Sequence, residues 1–301
     1  MALRGIYDFL DGLLICNSCD HSRRMFELFD LKIFGRENYS KPTSRFYYSI
    51  PHTITDEGFE WYYNEIKELK TELEEAYIHE TITNQDLLES ISIYNTNREL
   101  LRKIHELRII DTPKITGSEA LQISMSNNSV PKEVANKELE RILNSLRESE
   151  GIKSNTKRIM LVGSEVDSTV FTKLIEDSGA LIVTDFLCFG TRIFLDDVHL
   201  GFEKNPLKSI VERVYYRISC PRMMDDYERR LDFMKSEIKR ANVDGVILQR
   251  INNCDLHGCD NMLYVHALKD LEIPVLNLDR EFYQADTTRL QTRIEAFLEM
   301  I

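Results

Sequence analysis

The stretch that decides the fold is Arg158-Ile-Met-Leu-Val-Gly163, followed by Ser164 and, further on, by Gly179-Ala-Leu-Ile-Val-Thr-Asp185. Each apolar run is short, uninterrupted and rich in branched residues, which predicts a strand that is buried on both faces. The residues between the runs, through Ile175 to Ser178, have a helical pattern. We therefore predict two parallel strands joined by a helix.

The same alternation continues to the end of the chain. Strands are predicted over Val243–Arg250 and Ile273–Leu278, with helices before, between and after them. Strands and helices that alternate with short loops predict a parallel sheet covered on both sides. The predicted helices span residues 205–219, 224–241, 260–271 and 289–301.

The N-terminal part has a shorter version of this pattern. A strand is predicted over residues 11–15, a helix over Ser22–Phe29 with Ser22 as its cap, and a second strand over residues 45–50. One such β-α-β unit offers too little sheet to stand alone, so we expect a truncated unit that other chains or a longer protein complete. Residues 56–149 have a helical period and no chemical motif, which predicts a helical spacer.

The predicted fold class is therefore α/β, with two Rossmann-like or flavodoxin-like parallel-sheet units, the first truncated, joined by a helical segment. The predicted domains are residues 1–55, 56–150 and 151–301. A net charge of −12 and a pI near 5.2 argue against nucleic acid as a partner, because binding its phosphates requires a basic surface. No apolar run is long enough to cross a membrane, and the start does not resemble a signal peptide. A cytoplasmic location with reduced thiols is expected.

Cysteines recur just past the apolar runs, where ligands bind in an open α/β sheet. Cys19 and Cys254 are each followed by an aspartate, in two separate strand–loop–helix units. Thiols gathered at this edge of the sheet indicate a metal or iron–sulfur site. The five cysteines in such positions are Cys16, Cys19, Cys188, Cys254 and Cys259.

Three other interpretations stay open. Cys16-Asn-Ser-Cys19 has the spacing of a redox dithiol. His21 and His257 lie close behind cysteines and permit a zinc site, although no second Cys-x2-Cys completes it. A buried, inert thiol is the third interpretation for any single cysteine.

Leu161-Val-Gly-Ser164 lacks the known nucleotide-binding patterns, and no Gly-x-Ser-x-Gly hydrolase motif occurs.

Six stretches carry a resemblance to a known family. They are Asp11-Gly-Leu-Leu-Ile-Cys-Asn-Ser-Cys-Asp-His-Ser-Arg-Arg24, Leu187-Cys-Phe-Gly-Thr-Arg192, Cys220-Pro-Arg-Met223, Asp244-Gly-Val-Ile-Leu-Gln-Arg-Ile251, Cys254-Asp-Leu-His-Gly258 and Thr292-Arg-Ile-Glu-Ala-Phe-Leu-Glu299. In this order they resemble the subunits of benzoyl-coenzyme A reductases and 2-hydroxyacyl-coenzyme A dehydratases. The sequence of the second half of the chain is closer to that of the reductase-type subunits.

The resemblance implies a subunit that carries one 4Fe–4S cluster, usually bound by three cysteines. It also implies a dimer with a related or identical subunit, and an ATP-dependent iron–sulfur activator that supplies single electrons. The substrate would be an acyl-coenzyme A or aromatic coenzyme A thioester. The implied chemistry is radical: a ketyl formed from the thioester receives further electrons or expels a hydroxyl group.

On the family pattern, Cys19 and Cys254 are two of the cluster ligands. The family's remaining ligand precedes the Asp11 strand, and the chain is expected to begin too late to contain it. Cys220, Cys188 or Cys16 could replace that ligand, and His257 is a candidate proton donor. Asn252-Asn253 departs from the basic and aromatic pair that relatives carry there. The alternative function is a non-catalytic electron-transfer or assembly protein of the same family.

Overall fold

The computed structural model describes residues 4–29, 44–152, 156–201, 204–281 and 287–301. The chain divides into two compact units, and both are built from segments that are discontinuous in sequence. The first unit contains Met1–Glu89 and His199–Asp225, and the second contains Ser90–Val198 and Asp226–Ile301. The three-part division by sequence order stays a prediction beside this observation.

The first unit contains a parallel pair of strands, β1 (Gly12–Cys16) and β2 (Ser44–Tyr48). The register pairs Gly12 with Ser44 and Cys16 with Tyr48. A strand pair this small buries little surface, and only Ile15 and Phe46 of its ten residues are buried. The helices of this unit therefore supply most of its core.

Those helices are α1 (Asp20–Phe29), α2 (Asp56–Leu73) with a π-helical turn after it (Glu74–Ile78), and α7 (Pro206–Tyr216). Thr55 caps α2 by accepting a hydrogen bond from the Gly58 N–H at 3.0 Å. Aromatic side chains of α2 and α7 pack together, with Phe59 and Tyr215 edge to face at 5.8 Å. Core residues of the first unit include Ile50, Phe59, Tyr62, Val211, Tyr215 and Met223.

The second unit is organised around a four-stranded parallel sheet. Its strands are β3 (Lys157–Gly163), β4 (Ala180–Phe186), β5 (Gly245–Ile251) and β6 (Val275–Arg280), in the order β4-β3-β5-β6. Every residue of β4 and the last five residues of β3 are buried. This burial explains why both strands are continuous apolar runs in the sequence.

Helices cover this sheet and extend the unit. Leu290 and Ile294 of the last helix pack into the same core as Ile159 and Leu161 of β3. The longest helix, α3 (Asn84–Ile109), has most of its residues in this unit. The other helices are α4 (Gly117–Asn127), α5 (Lys132–Glu148), α6 (Thr169–Asp177), α8 (Tyr227–Arg240), α9 (Asp255–Asp270) and α10 (Thr287–Met300).

Two parallel sheets with intervening helices confirm the predicted α/β class. Two predicted helix starts are wrong, and both err in the same direction. α1 begins at Asp20, before the expected cap Ser22, and α9 begins at Asp255, five residues before the predicted start. In each case an aspartate in the first turn interacts favourably with the helix dipole, so the helix starts directly after a cysteine.

No helix in the part of the chain that the structure describes is both long enough and apolar enough to cross a membrane.

Candidate functional site

The first cysteine loop joins β1 to α1 in the first unit. Strand β1 ends at Cys16, three loop residues follow, and the last of them is Cys19. The Cys19 carbonyl oxygen accepts a hydrogen bond from the Arg23 N–H at 3.1 Å, which makes Cys19 the residue that precedes the first helical turn. Its sulfur lies 3.5 Å from the Ser22 hydroxyl oxygen. The thiol is half-buried and lies directly before the N-terminus of α1.

Asn17 fixes the start of this loop. Its side-chain oxygen accepts a hydrogen bond from the Ile50 N–H at 2.8 Å, two residues past the end of the neighbouring strand β2. Ile50 is buried, so its backbone N–H has no easy alternative partner in water. The loop is thereby tied to the neighbouring strand end as well as to its own strand.

The second cysteine loop joins β5 to α9 in the second unit. Strand β5 ends at Ile251, three residues follow, and the last of them is Cys254. The Cys254 carbonyl oxygen accepts a hydrogen bond from the Gly258 N–H at 2.9 Å, and its own N–H donates to the Ile251 carbonyl at 2.9 Å. Asn253 sits in the left-handed region at φ 67°, which asparagine tolerates better than most residues.

Asn252 in this loop has the position that Asn17 has in the first. Its backbone N–H donates to the Arg280 carbonyl at 2.9 Å, and its side-chain amide donates to the Glu281 carboxylate at 2.5 Å. Both acceptors lie at the end of the neighbouring strand β6. The two loops thus share the sequence pattern Asn-x-Cys-Asp and the same length, and in both the asparagine bonds to the end of the adjacent parallel strand, as an acceptor in the first loop and as a donor in the second.

The second loop stands at the point where the order of the sheet reverses. From β3 the chain moves to one side, to β4, and from β5 it moves to the other side, to β6. Ligands of open α/β sheets bind at the carboxyl ends of strands at such a switch point. Cys254 therefore lies where the fold itself favours a binding site.

A buried network of hydrogen bonds stabilises the backbone at this switch point. The Ser164 hydroxyl accepts a hydrogen bond from the Ile251 N–H at 3.1 Å, while the Ser164 N–H donates to the Gln249 carbonyl at 3.1 Å. The Arg280 guanidinium donates to the Gln249 side-chain oxygen at 2.8 Å. Gly163 adopts φ 130°, and a Cβ there would lie 1.8 Å from the Gln249 carbonyl oxygen. Only glycine permits this approach of the two strands.

His257 lies in the first turn of α9 and is half-buried. Burial lowers its pKa, and the nearby charges of Arg192 and Arg230 lower it further, to about 3. The imidazole is therefore neutral near pH 7. A neutral imidazole can accept a proton or donate a hydrogen bond, and the role of His257 as a proton donor stays a prediction.

The other predicted thiols each lie beside a polar partner in their own unit. In the second unit, an Arg192 N–H lies 3.6 Å from the Cys188 sulfur. In the first unit, an Arg222 N–H donates to the Cys220 sulfur at 3.1 Å. Cys16 forms a side-chain hydrogen bond with the Tyr48 hydroxyl. Burial raises the pKa of Tyr48, and the charge of Cys16 raises it further. All three thiols are half-buried.

All six cysteines belong to the described residues, and none of them forms a disulfide. Across the described ranges, no three side chains among histidine, cysteine, aspartate and glutamate are grouped closely enough to hold a metal ion. Cys19 belongs to the first unit and Cys254 to the second, and each is described within its own unit. Their meeting at one cluster stays a prediction.

Sequence reasoning missed two features of these loops. The match at three of the four positions between Asn17–Asp20 and Asn252–Asp255 is visible in the sequence, but the prediction used only the Cys-Asp pair. Arg192 lies in one of the family-like stretches and had no predicted role, although the structure buries it beside Cys188. Nothing local in the sequence marks an arginine as buried, because burial depends on the elements packed around it.

Comparisons with known proteins agree with this arrangement. A family model described as "2-hydroxyglutaryl-CoA dehydratase, D-component" matches residues 1–301. The chain is 24% identical to the (R)-phenyllactyl-CoA dehydratase beta subunit of Clostridium sporogenes, over all of this chain and 78% of the relative. It is 26% identical to a subunit of the benzoyl-CoA reductase of Thauera aromatica, over 90% of this chain and 69% of the relative.

A third relative is the beta subunit of (R)-2-hydroxyglutaryl-CoA dehydratase from Acidaminococcus fermentans. It is 23% identical over all of this chain and 78% of the relative. The relatives include both dehydratase and reductase subunits, and the resemblance found in the sequence is confirmed. Because the family model matches the chain from its first residue to its last, this protein belongs to the family of the 2-hydroxyglutaryl-CoA dehydratase D-component.

Proposed function

We propose that this protein is the iron–sulfur subunit of an acyl-coenzyme A dehydratase or reductase, with Cys19 and Cys254 as ligands of a 4Fe–4S cluster. The observation that carries the proposal is the matched pair of loops. Each presents a half-buried thiol directly before a helix whose first residue is aspartate. Iron–sulfur clusters are held by cysteine thiolates, and a helix N-terminus stabilises thiolate charge.

The residues of the two cysteine loops are chemically suited to hold an iron–sulfur cluster. The first-turn N–H groups of a helix have no intrahelical acceptor and can donate to sulfur, which tunes a cluster's potential. Asp20 and Asp255 follow the two cysteines and can orient the loops. Cys16, Cys188 and Cys220 are the candidates for a third ligand, and the last two already lie within reach of an arginine N–H.

When bound, a cluster of this type would supply single electrons at low potential. The chain's own residues would then bind and orient the thioester and control protons near it. A neutral His257 could hold a substrate oxygen by a hydrogen bond from its ring N–H. The relatives are named as subunits, which supports a partner subunit for this chain too. An ATP-dependent activator would deliver the electrons.

Anaerobic purification with iron and sulfide analysis tests the cluster. We expect about four irons per chain, and a loss of most of that iron in Cys19→Ser and in Cys254→Ser. Cys259→Ser is the matched control, because Cys259 lies in the helix that follows the Cys254 loop but is exposed. A protein that stays free of iron after anaerobic reconstitution would contradict the proposal, and so would equal iron loss in all three variants.

A second experiment separates the possible activities. The iron-loaded protein, with its partner subunit, an activator, ATP and a reductant, is supplied with 2-hydroxyacyl and aromatic thioesters of coenzyme A. Loss of water from the first group indicates a dehydratase, and reduction of the ring in the second indicates a reductase. Iron binding without turnover of either group would instead support an electron-transfer or assembly protein.

A further inference from the structure

Arg192 is a buried cation at the carboxyl edge of the second unit's sheet, six residues past the end of β4. Only 7% of the residue is exposed. One of its terminal N–H groups, on Nη1, lies 3.6 Å from the Cys188 sulfur, and its guanidinium lies 5.4 Å from the centre of the Phe186 ring. Its Nε–H is fully buried and has no hydrogen-bond acceptor among the described residues.

Two other buried arginines of the same unit pair with carboxylates. Arg108 lies 2.6 Å from a carboxylate oxygen of Asp185, and Arg230 makes two hydrogen bonds to Asp260 at 2.9 and 3.1 Å. Arg192 makes no ion pair with any residue in the described ranges. A buried charge without a partner is strongly unfavourable, and a buried donor that no protein group satisfies is a site where native proteins bind an ion, a water or a ligand.

The geometry of the guanidinium limits which kinds of ligand can bind to it. Nη1 is directed at Cys188, so the remaining edge of the plane carries Nε and Nη2. This edge presents two parallel N–H donors, which match the two oxygens of a carboxylate or phosphate. A halide can bridge both donors, but only a group with two oxygens places a separate acceptor in line with each N–H. The unfilled hydrogen-bonding capacity therefore fits an oxyanion with two adjacent oxygens.

Neither His257 nor Arg230 adds a negative charge near Arg192. His257 is close enough for the Arg192 charge to act on it, and it is neutral near pH 7. Arg230, also near His257, is already balanced by Asp260. His257 belongs to the first turn of α9, a sixteen-residue helix whose N-terminus favours anions. An anion bound by Arg192 would thus meet a positive environment on the His257 side.

We propose that Arg192 anchors an oxyanion-binding subsite in the second unit, which takes a carboxylate or phosphate group through the Nε and Nη2 edge of its guanidinium. The subsite does not depend on the iron–sulfur assignment, but the identity of its natural ligand rests on the proposed acyl-coenzyme A function. Its natural source of oxyanion is either a carboxylate of an acyl group or a phosphate of coenzyme A, and the choice of probe separates these two.

The test titrates the full-length protein with inorganic phosphate, glutarate and coenzyme A by calorimetry. We expect saturable binding of at least one probe, about tenfold weaker in Arg192→Lys, because an ammonium keeps the charge but lacks the two parallel donors. In Arg192→Met that binding should be lost. Binding of glutarate but not coenzyme A points to an acyl carboxylate, and the reverse points to a coenzyme phosphate.

Unfolding measurements without added anions distinguish a binding role from a structural one. Arg192→Met removes an uncompensated charge, so its unfolding midpoint should equal or exceed that of the wild type. Arg108→Met is the control, because it leaves the Asp185 carboxylate without its cationic partner and should lower the unfolding midpoint. The proposal is overturned if no probe binds, if Arg192→Lys binds as well as the wild type, or if Arg192→Met is destabilised as much as Arg108→Met.

Discussion

The two cysteine loops have the same local design and very different surroundings. In both, three residues follow a parallel strand, an asparagine reaches the neighbouring strand end, and a cysteine precedes an aspartate that starts a helix. The first loop rests on a two-stranded sheet and an aromatic core. The second rests on a four-stranded buried sheet and a buried polar network around Gln249.

The same loop geometry therefore occurs on two different sheets. The asparagine side chain accepts a hydrogen bond in the first loop and donates one in the second. The surrounding unit decides how rigidly the thiol is held and which charges reach it. In the second unit, the buried Arg192 and the half-buried His257 lie near the loop and give it a distinct electrostatic environment.

The largest expected effect comes from removing the close strand contact behind the second loop. Gly163→Ala places a Cβ against the Gln249 carbonyl and strains a backbone at φ 130°. We expect the free energy of unfolding to fall by about 4 kcal/mol, from crowding and strain together. Gly179→Ala is the matched control at φ 100°, where a Cβ meets nothing within 4 Å, and should lose about 1–2 kcal/mol from strain alone.

Urea unfolding of both variants measures the difference, and amide hydrogen exchange assigns it to the second unit. The first unit should keep its exchange protection in Gly163→Ala. Equal losses in the two alanine variants would mean that the contact with Gln249 contributes nothing.

The next effect concerns acid stability, which should differ between the units. Glu237 is buried in the second unit and interacts with His105 at 3.3 Å and Arg240 at 2.9 Å. Burial by itself would raise its pKa, but hydrogen bonds and electrostatic attraction from His105 and Arg240 outweigh burial and lower the pKa of Glu237 from 4.5 to about 2. The folded state therefore favours the carboxylate, a stabilisation of about 3 kcal/mol above pH 4.5.

This stabilisation is lost as the pH falls from 4.5 towards 2. Glu237→Gln should be less stable near pH 7 and should show a weaker loss of stability across that window. The free energy of unfolding, measured against pH, checks this. Glu106→Gln is the control: Glu106 contacts the same Arg240 from an exposed position, and its loss should change stability by only about 0.5 kcal/mol. A wild-type profile unchanged between pH 4.5 and 2 would contradict the assignment.

The smallest effect compares the two asparagines directly. Asn17→Ala leaves the buried Ile50 N–H without its acceptor and should cost about 1–2 kcal/mol. Asn252→Ala removes a hydrogen bond to an exposed carboxylate and should cost less than about 1 kcal/mol. Urea unfolding of the two variants should therefore rank Asn17→Ala as the less stable. The opposite ranking would mean that the buried sheet, rather than the asparagine, controls each loop.

Much of the fold could be predicted because its signals are local. The apolar runs at Arg158–Gly163 and Gly179–Asp185 correspond to strands β3 and β4, since strands buried on both faces are predominantly apolar. Helix starts were harder to predict. The helices begin at Asp20 and Asp255, where a favourable dipole interaction competes with weak local propensity. The pairing of α2 with α7 joins segments about 150 residues apart, and no periodicity reports such a contact.

The sequence by itself determined the α/β class, the family and the cysteines at strand ends, because hydrophobic period and short motifs are written along the chain. Only the tertiary structure decided that Arg192 is buried beside Cys188, that the charges of Arg192 and Arg230 help to keep His257 neutral, and that Gly163 must lack a side chain. The physical reason is that burial, electric field and close contact are set by residues distant in sequence, which only folding brings together.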